Sequence, residues 1–433
     1  MRLLILPFLI LPLLSKAQAT LNGPMVGHCD MLEATIWMQC KGPCEAAVEY
    51  WAVDRPDSIL RTATVRGLAE QAYALDVVVR QVVPGTAYGY RPIIDGKPVD
   101  IGQPLTFRTQ ALWAHRTDPP PFHVITGSCA YINEPAYDRP GKPYGGDLGI
   151  YARMAERKPD LMLWLGDNVY LREPDWGSRT GFLHRYTHAR SEPALQPLLR
   201  TGAHYAIWDD HDHGPNDSDG SFVHSGTARE MFDLFWPNPT CGVPGVPGIG
   251  TDFSHADVDF FLLDNRTYRV PGDLRTSQPT ILGDAQMDRL IRALKYSRAS
   301  FKIVAVGGQV LNSAAVFENH ATVPKEREEL LRRLAAEEIR NVIFLTGDRH
   351  FTELSSVKLD NGATVWDLTC SPLTSSAYVP KETNDNRVEG TLVTERNFAE
   401  LSFTGNKAGR TMTVTVFNAA GEQLWQRAIQ REK

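Results

Sequence analysis

The periodicity of apolar and polar residues differs between two parts of this chain. In the first part, short runs alternate apolar and polar residues between turns, which is a period-two pattern typical of β-strands. These runs cover residues 33–40, 46–53, 74–82 and 86–94. The pattern predicts a β-sandwich of immunoglobulin or fibronectin type over residues 20–110. Its sequence contains no cluster of acids, bases or metal ligands.

This periodicity changes after a proline-rich linker at residues 111–122. Apolar strand-like runs then alternate with helical patterns, in which apolar residues recur at i, i+3, i+4 and i+7. Two helices are predicted, at 284–297 and at 324–339, and the second has a proline in its first turn. Strands at 411–418 and 423–430 are expected to form a closing hairpin.

Six apolar strands of this second part, which we assign to an α/β domain over residues 120–433, end on polar or conformationally permissive residues. Their sequences are FHVITGSCA (122–130), LMLWLGDNVY (161–170), YAIWDDHD (205–212), VDFFLLDNRTY (258–268), FKIVAVGGQV (301–310) and VIFLTGDRH (342–350). In open α/β sheets, ligands bind beyond the carboxyl ends of the strands. We therefore expect the six ends to converge on one site.

The side chains at these ends are of the types that bind borderline and hard metal ions. The candidates with oxygen or imidazole donors are Asp167, Asp209, Asp210, His211, Asp212, Asn216, Asp348 and His350. A carboxylate has two oxygens, so Asp167 could bridge two ions. Ion pairs about 3.5 to 4 Å apart commonly clamp the attacking and leaving oxygens in phosphoryl transfer.

Two further residues indicate which metal is bound. Tyr170 lies three residues beyond Asp167, and a phenol with a pKa of about 10 is held as a phenolate at neutral pH only by a strongly Lewis-acidic centre. Cys129 ends the first of the six strands and could supply a thiolate to the same ion. These donors point to ferric iron.

Other polar residues have plainer interpretations. His184 and His188 have the i, i+4 spacing of a zinc pair, but no HExxH glutamate accompanies them, and a helix face near the pocket is favoured. The acidic stretch 208–220 could also be a solvated loop with Asx turns. The P-loop, GxGxxG and GxSxG motifs do not occur in the sequence, which argues against a nucleotide cradle and against a serine hydrolase.

The amino terminus predicts where the protein is located. Arg2, the apolar run 3–14 and the small-x-small pattern at 17–19 predict a signal peptide over residues 1–19, with cleavage near Ala19 and export. No other segment of the sequence is long and apolar enough to span a bilayer. Export permits disulfide bonds among the six cysteines.

Charge and cysteine spacing add two further expectations. The 433 residues carry a net charge of -6 without a long run of either sign, so no nucleic-acid groove and no contact with an anionic membrane are predicted. Cys40 and Cys44 flank a turn between two strand-like runs and could face each other across a hairpin.

The ordered series GSCA, LGDNVY, WDDHD with a later asparagine, LDNRTYR and TGDRH resembles the PhoD-like alkaline phosphatases of the calcineurin-like metallophosphatase superfamily. The resemblance covers nearly all of the mature chain. It implies a core of two β-sheets flanked by helices, preceded by a fibronectin-like domain. It also implies an exported phosphomonoesterase and phosphodiesterase that holds Fe³⁺ together with Ca²⁺.

The resemblance also implies roles for individual residues. Cys129 matches the iron thiolate, Asp167 the bridging carboxylate and Tyr170 the phenolate. The complete set of metal ligands expected is Cys129, Asp167, Tyr170, Asp210, Asn216, Asp348 and His350, and the expected catalytic residues are Asp167, His211, Arg266 and His350. In this set Arg266 looks like a cation that faces the phosphate.

The chain departs from the family's pattern at three places. Asn168 and Leu171 stand where the family commonly has tyrosine and glutamate, and Asp212 replaces the glutamate of WDDHE. The departures spare the expected iron ligands but affect the surroundings of the second metal, whose identity they leave open.

The sequence thus supports one hypothesis and two alternatives. The hypothesis is hydrolysis of small-molecule or cell-envelope phosphate esters, monoesters, diesters or both, by a metal-bound hydroxide or oxo group without a covalent enzyme intermediate. The first alternative is a zinc or manganese phosphodiesterase or nuclease of the same superfamily. The second is a non-catalytic surface binding protein with structural metals.

Overall fold

A computed structural model describes residues 21–433, so the predicted signal peptide at residues 1–19 lies outside the described residues. The first ninety or so described residues are rich in strands, as expected. They are β1 (Leu21–Cys29), β2 (Ala34–Cys40), β3 (Cys44–Ala52), β4 (Leu60–Arg61), β5 (Val65–Gly67), β6 (Ala74–Val79), β7 (Ala87–Ile94), β8 (Lys97–Pro98) and β9 (Leu105–Arg108).

The remainder of the chain alternates strands and helices before it ends in strands. The strands are β10 (Phe122–Gly127), β11 (Leu161–Leu165), β12 (Ala203–Ile207), β13 (Thr251–His255), β14 (Val258–Leu262), β15 (Phe301–Ala305), β16 (Val342–Thr346), β17 (Glu353–Lys358), β18 (Thr364–Thr369), β19 (Asn397–Thr404), β20 (Thr411–Asn418) and β21 (Gln423–Gln430). The helices are α1 (Ile150–Glu156), α2 (Arg179–Ser191), α3 (Gln196–Leu199), α4 (Asp210–His213), α5 (Ser225–Phe235), α6 (Gly283–Tyr296) and α7 (Pro324–Ala336). All six strands predicted to carry the site, both predicted helices and the closing hairpin are confirmed.

Two large sheets form the core and carry the predicted strand ends. The nine-stranded sheet has the order β21-β20-β19-β10-β11-β12-β1-β2-β6, and a six-stranded sheet has the order β13-β14-β15-β16-β18-β17. Strands β10, β11 and β12 run parallel to one another, and so do β14, β15 and β16. Parallel strands end at a common edge, so each sheet presents three of the six predicted ends together.

Alternating side chains of the second sheet pack on two different partners. Phe260 and Leu262 of β14 belong to the core shared with the nine-stranded sheet. Phe261, between them, packs with Leu290 of α6 and Leu334 of α7. Because successive strand residues point to opposite faces, the sheet is covered on both sides, which explains why its parallel strands are almost entirely apolar. This arrangement confirms the predicted α/β core of two β-sheets.

The amino-terminal strands are joined to this core by hydrogen bonds. β1 lies parallel to β12, with Val26 opposite Ala203, so β1, β2 and β6 extend the nine-stranded sheet. The remaining amino-terminal strands form a separate sheet around β3 and β7. Of the two layers expected for a β-sandwich, one is therefore shared with the core.

The disulfide bond expected between Cys40 and Cys44 is present, but its setting differs from the expected hairpin. β2 pairs with β1 and β6, whereas β3 pairs with β4, β5 and β7. The short turn between the two cysteines passes from one sheet to the other. The disulfide bond thus ties the two amino-terminal layers together at their corner.

Two smaller expectations concern helices. His184 and His188 do lie on one helix, α2, where His184 Nε2 is 2.7 Å and His188 Nδ1 is 3.5 Å from Glu134 Oε1. Neither histidine belongs to a candidate metal group among residues 21–433. Within the same residues, none of the helices has the length and the apolar character needed to cross a membrane.

Candidate metal centre

Four of the predicted site residues have an unusual backbone. Cys129, Asp167, Asp348 and His350 adopt positive φ angles of 61°, 50°, 68° and 56°. They follow β10, β11 and β16, so both large sheets contribute. The left-handed region is sparsely populated by residues other than glycine, and such strained residues cluster at active sites and ligand sites.

The first donor group combines a thiol, a carboxylate, a phenol and an imidazole. Cys129 Sγ lies 3.4 Å from Asp167 Oδ2, and the Tyr170 hydroxyl lies 3.0 Å from the same oxygen. The Tyr170 hydroxyl is also 3.3 Å from His350 Nε2. Cys129, Asp167 and His350 each place a donor atom within 4.8 Å of the others. One ion could therefore contact all four side chains.

Neighbouring groups orient two of these donors. His350 Nδ1 lies 2.7 Å from the carbonyl oxygen of Ser376, so Nδ1 carries the proton and Nε2 keeps a free lone pair. The Ser371 hydroxyl lies 3.1 Å from Cys129 Sγ and also accepts a hydrogen bond from the His350 backbone N–H. Ser371 thus links the thiol to the backbone of His350, a role that its Thr-Cys-Ser-Pro context does not indicate.

A second donor group lies on the other side of Asp167. Asp167, Asp210 and His211 also place donor atoms within 4.8 Å of one another. Asp167 Oδ1 accepts a hydrogen bond from the His211 backbone N–H at 3.4 Å, whereas Oδ2 faces Cys129 and Tyr170. Asp167 is therefore a member of both donor groups, as a bridging carboxylate would be.

The acidic WDDHD stretch divides between structural and site residues. Asp209 is the N-cap of α4 and forms a capping box with Asp212. Asp212 also accepts hydrogen bonds from the backbone N–H groups of Asn168 and Val169, and so fixes the turn that carries Asp167. Asp209 and Asp212 build the turn, while Asp210 and His211 are presented to the cavity. Asn168 is likewise structural, because its amide donates to the carbonyl of Ile207.

Gly166 is required for the close approach of the strand ends. Its φ is +88°, and a Cβ at this position would lie 2.7 Å from Asp209 Cβ and 3.0 Å from Asp209 N. Only a residue without a side chain avoids both the backbone strain and the overlap. The glycine in the sequence LGDN therefore positions Asp167 against the WDDHD turn.

Burial shifts the pKa values of the anionic donors upward. Burial raises the pKa of the Cys129 thiol to about 12. Burial, together with the nearby Cys129 and Asp210, raises the pKa of Asp167, and burial and Asp167 raise that of Tyr170. The pKa of Asp348 is raised to about 8 by burial and by the neighbouring carboxylates. A multivalent cation would relieve this crowding of potential negative charge.

Several polar atoms at the site lack partners. Within residues 21–433, Asp348 Oδ2, Asp209 Oδ2 and His211 Nδ1 are buried and have no hydrogen-bond partner. Buried polar atoms are nearly always satisfied, so Asp348 Oδ2 and His211 Nδ1, whose side chains line the cavity, are available to a ligand. The donor set thus fits bound metal by residue type, by placement and by its unsatisfied atoms.

The donors lie at one cavity of about 370 Å³. Of the predicted residues, Asp167, Asp210, His211, Asn216, Asp348 and His350 line it. Cys129 and Tyr170 are completely buried next to it. Six further lining residues were not in the predicted set, which are Tyr144, Asp217, Phe317, Glu318, Arg349 and Tyr378. These six lie in irregular loops or directly beside a motif residue.

Arg266 is placed differently from the phosphate-facing position that was expected. Its side chain is fully buried and does not line the cavity. Nε donates to Asp209 Oδ1 and Nη1 donates to Glu318 Oε1, each at 2.9 Å, and Nη1 also donates to the Ser218 carbonyl. The guanidinium is therefore committed to two buried carboxylates. The arginine in the cavity wall is Arg349.

A third group of carboxylates, Asp209, Asp210 and Glu318, also has metal-like spacing. Asp209 and Glu318 are the two residues that bind Arg266. This group already has its cation, so we do not count it as a third metal position.

Comparison with known proteins finds a family match for the carboxyl-terminal part of the chain. Residues 251–419 match the family described as PhoD-like phosphatase. The chain carries a PhoD-like phosphatase domain. The matched stretch contains Arg266, Asp348 and His350, while Cys129, Asp167 and Tyr170 precede it. The resemblance predicted from the motifs is thereby confirmed.

A curated relative extends the similarity towards the amino terminus. Alkaline phosphatase D of Bacillus subtilis (strain 168) is 23% identical over 373 residues, which is 73% of this chain and 60% of the relative. The match thus spans less than two thirds of that protein's length.

Two solved structures have a similar fold. A structure of PhoD superposes with a TM-score of 0.74 at 16% identity and covers 94% of this chain and 92% of that chain. Purple acid phosphatase PPD1 from yellow lupin (Lupinus luteus) seeds superposes with a TM-score of 0.69 at 11% identity, over 96% of this chain and 75% of that chain.

The strand-rich amino-terminal region has a match of its own. Residues 17–111 match a domain of unknown function (DUF7800). The division into residues 20–110 and 120–433 stays a prediction, because β1 is hydrogen-bonded to β12 across that boundary.

Proposed function

We propose that this protein is a metal-dependent phosphatase that hydrolyses phosphate monoesters, phosphate diesters or both. The observation that carries the proposal is the position of Asp167. Asp167 lines the cavity and belongs to two candidate donor groups, one with Cys129 and His350 and one with Asp210 and His211. Paired ions sharing a carboxylate are the usual means of stabilising both oxygens in the displacement at phosphorus. The PhoD-like domain supports the same reaction class.

The first donor group suits Fe³⁺. Cys129, Asp167 and Tyr170 can each bind a metal as an anion, and His350 supplies a neutral imidazole nitrogen. Three negative donors match the charge of a trivalent ion. Burial raises the pKa values of the thiol and the phenol, so a strongly Lewis-acidic ion is needed to hold them deprotonated at neutral pH.

The second position is proposed to hold Ca²⁺, with Zn²⁺ or Mn²⁺ as the alternative. Ca²⁺ prefers six to eight oxygen ligands, and the carboxylates of Asp167, Asp210 and Asp348 with the amide of Asn216 supply part of such a shell. The imidazole of His211 in the same group instead favours Zn²⁺ or Mn²⁺. Metal analysis decides between them.

The metals, when bound, would activate water and neutralise charge on the phosphoryl oxygens. The chain's own residues would orient the substrate and handle its proton. Burial lowers the pKa of His211, so its imidazole is neutral at pH 7, and its Nδ1 has no partner within residues 21–433. That nitrogen is available to exchange a proton with the ester or the leaving alcohol. Arg349 adds positive charge to the cavity wall.

We also propose that the protein is exported and acts on small-molecule or cell-envelope phosphate esters. The predicted signal peptide supports export. The disulfide bond between Cys40 and Cys44 supports it too, because disulfide bonds persist in oxidising compartments.

The test is to measure metal content, visible absorption and turnover on one sample purified without chelators. We expect about one iron per chain, a tyrosinate-to-iron band that disappears in Tyr170→Phe, and hydrolysis of p-nitrophenyl phosphate or its bis ester that a chelator abolishes. Zinc or manganese without the band would replace iron in the proposal. Metal-loaded protein without turnover of either ester would contradict the function.

A further inference from the structure

The wall of the cavity carries an exposed aromatic side chain in a strained conformation. Phe317 lines the cavity, is 65% exposed and has a φ of +50°. A bulky residue in the left-handed region is uncommon, and exposure of a phenyl ring forgoes its burial free energy. Phe317 therefore has two destabilising features, a left-handed backbone and an exposed ring, beside the proposed metal site. Their combination points to a role in ligand binding.

A second ring completes this wall. Tyr378 also lines the cavity, and its ring meets that of Phe317 edge to face with centroids 5.9 Å apart. The backbone N–H of Tyr378 donates to the carbonyl of His350 at 2.8 Å, so the backbone that carries the ring is joined to that of a proposed metal ligand. We call Phe317 and Tyr378 the aromatic shelf.

The shelf is supported from behind. The guanidinium of Arg349 lies 4.5 Å from the centroid of the Phe317 ring and 5.2 Å from that of the buried Phe351. Arg349 is itself held by Asn319 and Glu382. A ring stacked on a fixed cation keeps its position although most of its surface is exposed. The shelf is therefore preorganised, and it is continuous with the cavity that holds Asp167 and His350.

We infer that the aromatic shelf binds the organic group of the phosphate ester and selects esters whose organic group is aromatic. This inference rests on the proposed function, since the phosphoryl group must lie at the metals for the organic group to reach the shelf. A planar ring placed against Phe317 and Tyr378 gains offset or edge-to-face contacts that a methyl group does not make. The pair of rings therefore discriminates by the organic group and not by the phosphoryl group.

The test compares the binding of two non-hydrolysable ligands that share the phosphonate and differ in the organic group. Phenylphosphonate and methylphosphonate are titrated calorimetrically into the metal-loaded protein. We expect phenylphosphonate to bind wild type about three- to tenfold more tightly than methylphosphonate. In Phe317→Ala this preference should fall close to one, with methylphosphonate affinity within about twofold of wild type.

Two further variants control the interpretation. Tyr378→Leu should reduce the preference in the same direction, because it removes the second ring. Tyr296→Ala removes an aromatic ring that is 85% exposed at the end of α6 and outside the cavity, and it should keep the full preference. A merely structural role of Phe317 would change the binding of both phosphonates equally.

The possible failures are distinguishable. Equal affinity of wild type for the two phosphonates, or an undiminished preference in Phe317→Ala, overturns the aromatic subsite while ester turnover still supports the phosphatase. If neither phosphonate binds the metal-loaded protein and neither nitrophenyl ester is hydrolysed, the subsite and the proposed function fail together.

Discussion

At the scale of single residues, the candidate site depends on the close approach of strand ends and on residues with positive φ angles. Gly166 lets the end of β11 approach Asp209, and the four donors at positive φ angles are held in place by the surrounding contacts. Hydrogen bonds from Ser371 and to Ser376 do this for Cys129 and His350. The proposed metal ligands are therefore only part of what would position a metal ion.

Gly166→Ala tests this dependence. A Cβ would require a left-handed alanine and would meet Asp209 Cβ at 2.7 Å, so we expect the free energy of unfolding to fall by about 2 kcal/mol or more and the metal content to fall with it. Thermal unfolding and elemental analysis measure the two effects. The matched control is Gly177→Ala, since no heavy atom of residues 21–433 lies within 4 Å of that Cβ. Wild-type stability and metal content in Gly166→Ala would show that the close approach is dispensable.

Residue type and position after a strand predicted the acids and histidines that line the cavity better than the arginine that does. Asp167, Asp348 and His350 were recognised because each follows a strand and a glycine or a Gly-Asp pair, and all three line the cavity. Arg266 follows a strand in the same way, yet its guanidinium turns inward. The direction of a long side chain depends on partners such as Glu318, which lies 52 positions away in the sequence and carries no motif.

At the scale of elements, Arg266 joins the ends of three strands. It follows β14, it binds Asp209 after β12, and it binds Glu318 in the loop after β15. β12 belongs to the nine-stranded sheet, whereas β14 and β15 belong to the six-stranded sheet. Arg266 therefore locks together the edges of both sheets on which the donors lie.

Arg266→Gln should be strongly destabilising. It leaves Asp209 and Glu318 buried without their common cation, and breaking one partner of a buried ion pair costs about 3 to 5 kcal/mol. Chemical denaturation measures the loss. Arg332→Gln, which breaks an exposed pair with Glu329, should give no measurable change. An Arg266→Gln protein of wild-type stability but with a raised KM for phosphate esters would restore the role predicted from sequence.

Element positions were predictable where the pattern is periodic. The six apolar strands and the helices α6 and α7 were predicted because their apolar residues repeat with periods that burial imposes. The loops that carry Tyr144, Phe317 and Tyr378 have no period, and their approach to the metal site is set by tertiary contacts. A sequence pattern cannot indicate such contacts, so the cavity wall had to be read from the structure.

At the scale of the whole molecule, the two predicted regions are more closely joined than their sequences indicated. The indole of Trp37 in β2 donates to the Leu234 carbonyl of α5, and Gln39 donates to Thr187 of α2. Together with the pairing of β1 and β12, these contacts make the amino-terminal strands part of the layer behind the metal site. The composition of a strand shows that it pairs but not with which partner, so the sequence suggested a separate sandwich.

The proposed two-metal centre depends on the whole molecule, because donors from both large sheets must meet at Asp167. The measurement that tests it most directly is the metal content of Asp167→Asn, with the exposed substitution Asp360→Asn as the control. We predict two metal ions per chain in wild type and in Asp360→Asn, and a loss of both ions together with ester hydrolysis in Asp167→Asn. An Asp167→Asn protein that is folded and retains both ions would contradict the shared carboxylate.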